Sequence, residues 1–402
     1  MDKSSAAMIP RYQPNLDISA WLNWLASASS QDTYGNHKAK FLTSLQQSVN
    51  FPQVFAFEKG RQALYAYFKY LAQTVKNGNV LISAQICPVV PYLLKELGFT
   101  VRFVDSDFSY PTPSAHQYLQ AIDEDTVAIA ISPLYGYLQA EWQPLLERLN
   151  KIKLILDLAQ GLGFKEQIAD LVLAADAVVY SFGLGKGLDT GGGVLVAKES
   201  FSLVNYKVKI SKKYYTNILV KSLALRMLIY TGLYPFFIQQ LDATVERDKK
   251  ALYSDYLCEA IADDDIYILW NGQIANLIND IQRAQKRAVE LGTLPKIAQA
   301  CRDISVFCNP NAVHLRQIIR FKDIHLKVKV LNSLRQKGIE CLSAGEPLPQ
   351  DYFTMTEQKD FPNARLFRDS SLRLPFLGRL SEAQFNQLKV TLEDAIAQHL
   401  SD

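Results

Sequence analysis

The stretch Ala177–Ala197, "AVVYSFGLGKGLDTGGGVLVA", sets two short apolar runs on either side of a glycine-rich turn that holds one lysine, Lys186. Each run has the length of a single buried strand. Three kinds of site favour a lone ammonium group in backbone this permissive: a phosphate loop, a dinucleotide loop, and a lysine that carries a covalent cofactor. Spacing separates them. A G-x-x-x-x-G-K-[ST] loop would need glycine where Tyr180 stands and a hydroxyl residue where Gly187 stands. A G-x-G-x-x-G loop would need its third glycine at Leu188 or Thr190. A lysine that forms a Schiff base needs open access to a carbonyl carbon and an amine that can lose its proton, and flanking glycines give that access. Ser181, at the end of the first run, is placed to hydrogen-bond a cofactor phosphate. A surface lysine in a flexible loop is the competing reading, and spacing alone leaves the two balanced.

Upstream, short apolar runs alternate with helical ones. "VFAF" (54–57) leads into Gly60 and "RQALYAYFKYLAQTV". "NVLIS" precedes "PVVPYLLKELG", "TVRFVD" precedes "SAHQYLQAI", and "TVAIAIS" precedes "EWQPLLERLN". This rhythm predicts a mainly parallel sheet with right-handed helical crossovers, so an α/β domain. Ligands in such sheets bind where strands end and helices begin. Residues 1–50 read as an arm with two amphipathic helices, near 18–28 and 37–49. Residues 51–245 read as the large α/β domain. Residues 246–402 read as a smaller α+β domain, with helices at "LINDIQRAQKRAVEL", "KVKVLNSLRQKG" and the C-terminal "SEAQFNQLKVTLEDAIAQHL" around a strand "RQIIRF".

The bulk numbers exclude several classes. The 402 residues are 49% hydrophobic and 21% charged, an ordinary globular balance. A net charge of +3 from 43 basic and 40 acidic residues leaves no footprint for nucleic acid. The five cysteines (87, 258, 301, 308, 341) are odd in number and read as reduced thiols of a cytoplasmic protein. The opening "MDKSSAAMIPRYQP" has no apolar core of signal-peptide length. The five histidines (37, 116, 314, 325, 399) lack metal-ligand spacing, so no metal is expected. The apolar stretch Ile218–Ile238 is interrupted by Lys221 and Arg226 and has Pro235 near its end. It reads as helices buried in the fold or in a subunit interface, not as a membrane span.

A second segment supports the cofactor reading of Lys186. "KLILDLAQGLGF" ends an apolar run in Asp157, followed by Ala159 and Gln160. A carboxylate there can face a pyridine nitrogen and keep it protonated, which makes the ring an electron sink. Gln160 can reach the ring's hydroxyl side. The plainer reading of Asp157 is a cap for the turn that follows.

With these pieces in order, the chain resembles the DegT–StrS aminotransferases, fold-type I enzymes that use pyridoxal phosphate (PLP) and act mostly on keto sugars, often nucleotide-linked. "EKGRQALYAY" is similar to the family's phosphate turn, "DLAQGLG" to its Asp-x-Ala-Gln motif, and "SFGLGKGLDTGGGVLV" to its Ser-Phe-x-x-x-Lys…Gly-Gly motif. "NVLISAQICPVVPYLLKELGFTVRFVD" and "FPNARLFRDSSLRLPFLGRLSEAQF" match two further stretches. The resemblance implies a three-layer α/β/α large domain with a smaller α+β domain. It implies catalytic roles for Lys186, as Schiff-base lysine, and for Asp157, as partner of the pyridine nitrogen. Gln160, Ser181, Gly60 and Arg61 would complete the cofactor site. It further implies glutamate as amino donor and a homodimer with shared sites.

Three departures accompany the match. Cys87 stands where the family stacks an aromatic ring on the cofactor. It is placed with the cofactor-binding residues by alignment, but a thiol cannot stack, so a buried structural role is expected, with Gln85–Ile86 or another segment covering that face. The family's Gly-x-Asn-x-Arg stretch is replaced by residues 207–237, where Asn217 is a candidate substitute and Lys212, Lys213, Tyr214 and Tyr215 form either an anion grip or a solvated loop. "SPLYG" (132–136) lacks the histidine often found there. A PLP-dependent sugar dehydratase is the enzyme alternative, opposed by Lys186, since those relatives carry histidine there. A non-catalytic sensor or scaffold of the same fold is the other.

Overall fold

The computed structural model describes residues 8–27, 31–45, 53–75, 78–163, 168–200, 207–208, 212–237, 260–261, 265–353 and 360–400. Nine strands form the large sheet: β1 (Gln53–Phe57), β2 (Asn79–Ser83), β3 (Thr100–Val104), β4 (Thr126–Ile131), β5 (Lys153–Asp157), β6 (Ala177–Ser181), β7 (Gly193–Ala197), β8 (Lys207–Val208) and β9 (Ala260–Ile261). Their order is β3-β2-β4-β5-β6-β7-β1-β9-β8. The run from β3 to β6 is parallel, and β7 is antiparallel to both β6 and β1. All seven apolar runs read as strands in the sequence are strands of this sheet.

Every residue of β2, β6 and β7 is buried, as expected for strands covered on both faces. Side chains alternate between two cores. Leu81, Ile129, Leu156, Val178 and Val196 belong to one, and Val80, Ile82, Ala130, Ile155 and Val179 to the other. The fold is therefore a three-layer sandwich.

A second sheet of four antiparallel strands, in the order β10-β11-β13-β12, is built from β10 (Ile304–Val306), β11 (Gln317–Phe321), β12 (Leu342–Ser343) and β13 (Ser371–Leu374). Asp105, just after β3, joins it to the large sheet. Its carboxylate accepts from the backbone N–H groups of Asn363 (3.0 Å) and Ala364 (2.9 Å), in the first turn of helix Pro362–Ser370. The N-terminal arm holds helices Ile18–Ala26 and Gln31–Ser44. The first is capped by Asp17 and buries Trp21 and Trp24. The boundaries expected at 50/51 and 245/246 lie outside the described residues. Beyond the second, Ala260–Ile261 still joins the large sheet beside β1.

The stretch from 212 differs from expectation. Lys212–Tyr230 is one helix, so Tyr214 and Tyr215 belong to a helical turn and not a loop. The apolar run, expected to be buried in the fold or in a subunit interface, is only partly buried by the described residues: Tyr234 is 2% exposed and Ile218 and Leu219 pack against the core, whereas Met227 is 62% exposed and Tyr230 89%. Ile238 lies outside the described residues. Among these, no helix is long and apolar enough to cross a membrane.

Candidate active site

The C-terminal ends of β5 and β6 carry Asp157 and Ser181, and the loop after β6 carries Lys186. Helix Gly60–Thr74 opens at the same end of the sheet. Gly60, Arg61, Cys87, Asp157, Gln160, Ser181 and Lys186 all line one cavity of about 510 Å³. The fold thus brings these seven residues, spread over 127 positions of chain, to one cavity.

Lys186 sits in a turn closed by its own N–H on the Gly183 carbonyl (3.0 Å), and its Nζ donates to Ser181 Oγ at 3.3 Å. Gly185 holds φ at +78°, and a Cβ there would also strike Arg316 Nη2 at 2.7 Å, so glycine is required on both counts. Buried Asp189, itself left-handed at φ 58°, pins this turn. It accepts from the backbone N–H groups of Gly185 and Asn15 and from Arg379. Arg379 also donates to the Gly187 carbonyl and pairs with Asp280 at 3.1 Å. The lysine turn is flexible in composition yet fixed in place by a charge-assisted network from the arm and the C-terminal part.

Asp157 is 4% exposed and accepts from the Ala159 N–H at 3.1 Å, so it does cap the turn. Burial pushes its carboxyl above the ordinary range, opposed by the Lys186 ammonium and the Ala159 bond. A buried carboxylate with one backbone donor still lacks a strong partner. A protonated pyridine nitrogen in the cavity would supply one. Gln160 Oε1 accepts from the Tyr135 N–H at 2.6 Å, which leaves its amide NH₂ to donate.

At the other end of the cavity, Gly60 presses so closely on Ser181 that a Cβ would lie 2.4 Å from Ser181 Cβ and 2.7 Å from its Oγ. This close approach brings the first N–H groups of a 15-residue helix beside a hydroxyl, with Arg61 and Lys59 at the rim. That donor set fits a phosphate. Together with Asp157 and Lys186 it fits PLP end to end.

Cys87 corrects an expectation: it is exposed, opening into the cavity, and is no buried structural thiol. The surrounding protein pushes the thiol up, with Lys186 opposing. Gln85 and Ile86 line the same wall, and the Gln85 amide is fixed at both ends, to Ala364 O (2.9 Å) and the Glu346 N–H (2.7 Å). Of the replacement segment, Tyr214 lines the cavity, whereas Tyr215 is buried against Trp24. Asn217 and Lys213 are exposed and do not line it.

Glu58, Lys59, Ser132 and Glu346 also line the cavity and were not singled out from sequence as site residues. Lys59 adjoins the phosphate turn, a signal that was available. Glu58 is 5% exposed, and its Oε1 is sealed without a hydrogen-bond partner. Glu346 arrives from far along the chain, with no local motif to mark it.

No curated protein matches the chain in sequence. Among solved structures, the chain is similar in fold to the aminotransferase TlmJ from Streptoalloteichus hindustanus (TM-score 0.71, 15% identity, 98% of this chain and 100% of that one). It is likewise similar to NtdA from Bacillus subtilis, solved with bound cofactor PMP (0.69, 15%, 99% and 87%). The third is the sugar aminotransferase CalS13 from Micromonospora echinospora (0.65, 15%, 96% and 100%). These likenesses establish the fold-type I architecture. Residues 17–210, which include the lysine turn, Asp157 and the phosphate turn, match the model of the DegT/DnrJ/EryC1/StrS aminotransferase family. Over residues 17–210, just under half of its length, the chain is thus similar to the DegT/DnrJ/EryC1/StrS family of aminotransferases.

Proposed function

We propose that this protein moves an amino group from an amino acid, glutamate by resemblance to the family, to a keto sugar or similar keto compound. The observation that carries the reading is the joint placement of Lys186, Asp157 and the Gly60–Ser181 phosphate turn in one cavity. The description of CalS13 as a sugar aminotransferase supports the acceptor class. Bound PLP supplies an electron sink for the carbon that loses and regains a proton.

The chain's own residues do the rest. Lys186 would hold the cofactor covalently through Nζ, and that amine, when free, would carry a proton between carbon centres. Ser181, 3.3 Å away, orients that amine. Asp157, 4% exposed in the cavity wall, would keep the ring nitrogen protonated. Gly60, Arg61 and Ser181 hold the phosphate, and Gln160 orients the hydroxyl edge of the ring.

Purified protein is expected to be yellow, and borohydride to fix the cofactor to a peptide containing Lys186. Glutamate is expected to shift the absorbance to that of the amine form. Lys186→Ala should keep the fold and lose turnover. A colourless protein that binds no added PLP would sink the enzyme reading.

A further inference from the structure

The cavity is lined by three cationic side chains, Lys59, Arg61 and Lys186, and by three carboxylates, Glu58, Asp157 and Glu346. Four of the six serve the cofactor: Arg61 and Lys59 stand at the phosphate turn, Lys186 reaches the aldehyde and Asp157 faces the ring nitrogen. Glu58 is 5% exposed, and its Oε1 is sealed from solvent. Glu346 is left, a half-buried carboxylate in the cavity wall that no group of the cofactor matches.

The backbone that carries Glu346 is fixed from several sides. Its N–H donates to Gln85 Oε1 at 2.7 Å, and the other end of that amide is tied to Ala364 O. The Gly345 N–H donates to Tyr135 Oη at 3.0 Å. Gly345 holds φ at +95°, and a Cβ there would lie 3.1 Å from both Arg368 Cβ and Gln85 Oε1. Pro347 follows and disfavours helical backbone at Glu346. The carboxylate itself is unmatched: among the described residues, no donor bonds to it and no ion pair includes it. Arg368 and Arg373, which border this loop and Tyr135, are engaged elsewhere. Arg368 pairs with Asp351 (2.8 Å) and Asp369 (3.3 Å), and Arg373 donates to Tyr135 Oη (2.9 Å).

Glu346 shares its stretch of wall with Cys87. The protein around Cys87 raises its thiol, the Lys186 ammonium opposes that rise and the Glu346 carboxylate adds to it, so the thiol lies within electrostatic reach of both. A thiol is much smaller than the aromatic ring that the family resemblance places here. It leaves room over the cofactor face, and that room is bordered by an uncompensated negative charge. A half-buried carboxylate without a counter-charge is costly, and a bound cation offsets the cost.

We propose that Glu346 sets specificity for a keto acceptor that already carries a protonated amine, of the amino-sugar or aminocyclitol class, seated in the room that Cys87 leaves. The proposal rests on the aminotransferase reading and names the substrate class of that same site. An ammonium group supplies the charge-assisted hydrogen bonds that Glu346 lacks. Glutamate brings a single amine, which goes to the reacting carbon, so the second amine belongs to the acceptor. A neutral sugar offers hydroxyl donors but no charge.

Protein loaded with pyridoxamine phosphate, which cannot condense with another amine, is titrated calorimetrically with methyl glucosaminide and with methyl glucoside. These sugars differ by an ammonium group in place of a hydroxyl, and neither has a carbonyl to react. The wild type is expected to bind the cationic sugar about tenfold or more tightly. Glu346→Gln should erase the preference, and Glu346→Asp, with the same charge on a shorter arm, should keep part of it. Cys87→Phe, which fills the room with a ring, should exclude both sugars. Cofactor absorbance after gel filtration reports that each variant is folded and loaded. In turnover, Glu346→Gln should raise KM for an amino-bearing keto sugar and not for its hydroxyl counterpart. Equal affinity of the wild type for the two sugars overturns the proposal, as does undiminished binding by Cys87→Phe. An equal loss of both sugars in loaded Glu346→Gln overturns it too, and makes Glu346 an acceptor for hydroxyl groups. If no amino acid converts bound PLP while the cationic preference persists and depends on Glu346, the aminotransferase reading falls and the ammonium site stands.

Discussion

Asp157 is asked to be charged in a place that penalises charge. Its carboxyl is raised above the ordinary 3.8, chiefly by burial. The folded cofactor-free chain therefore binds that proton more tightly than the unfolded chain does. The stability it contributes is complete below the ordinary value and is lost as pH rises through the raised one. At neutral pH, Asp157→Asn is thus expected to raise the melting temperature of the cofactor-free protein and flatten its pH dependence. The same change should slow the glutamate half-reaction on the order of a hundredfold or more, because the neutral amide cannot hold the ring nitrogen protonated. Calorimetric melting between pH 4 and 8 and single-turnover absorbance check the two halves, and wild-type rates in this variant would reduce Asp157 to a turn cap. Asp157 was legible in sequence because an acidic residue ends the apolar run Leu154–Leu156. Glu58 was not: it also follows a strand, but only the fold shows it sealed against the cavity with an unpartnered oxygen.

At the scale of elements, the large sheet was readable because each of its main strands is a short apolar run bounded by turn residues. The smaller sheet was readable only in part. β11 appears in "RQIIRF", whereas β10, β12 and β13 are two to four residues long and take their pairing from distant neighbours. The phosphate turn shows how strongly packing fixes a short motif. Gly60 lies against Ser181 and under β7, where Gly193 in turn approaches Gly60 Cα within 2.5 Å of a would-be Cβ. Gly60→Ala must therefore push the helix start away from Ser181, at roughly 1–3 kcal/mol for overpacking. Cofactor affinity is expected to fall by about tenfold or more, since the displaced N–H groups are the phosphate donors. Gly183→Ala is the control: its nearest neighbour would be Lys186 Cδ at 3.9 Å, an ordinary contact. Fluorescence titration with PLP distinguishes the two. Equal affinity for both variants would remove the phosphate from this turn.

At the scale of the whole molecule, helix Lys212–Tyr230 presents an apolar face that no described residue covers. Val220, Leu223, Met227 and Tyr230 fall at successive intervals of three, four and three along helix Lys212–Tyr230, a single apolar stripe, and all four are exposed. Phe236, past the turn that ends this helix, is also 75% exposed. A contiguous apolar patch of this kind on a globular protein marks an interaction surface. The sequence leaves open whether this run is buried in the fold or in a subunit interface, because hydrophobicity alone does not say which subunit provides the cover. The first turn of the same helix places Tyr214 in the cavity wall. A second copy of the chain docked on this stripe, with the isologous geometry usual for homodimers, would steady the wall that Tyr214 forms. Light scattering at micromolar concentration is therefore expected to give a dimer. Met227→Glu combined with Phe236→Glu should give a folded monomer, because each buried charge at an apolar interface lacks a partner. Turnover should fall with dissociation while Lys186, on a separate loop, still takes up PLP. A wild-type monomer with full activity would break the link between this stripe and the site.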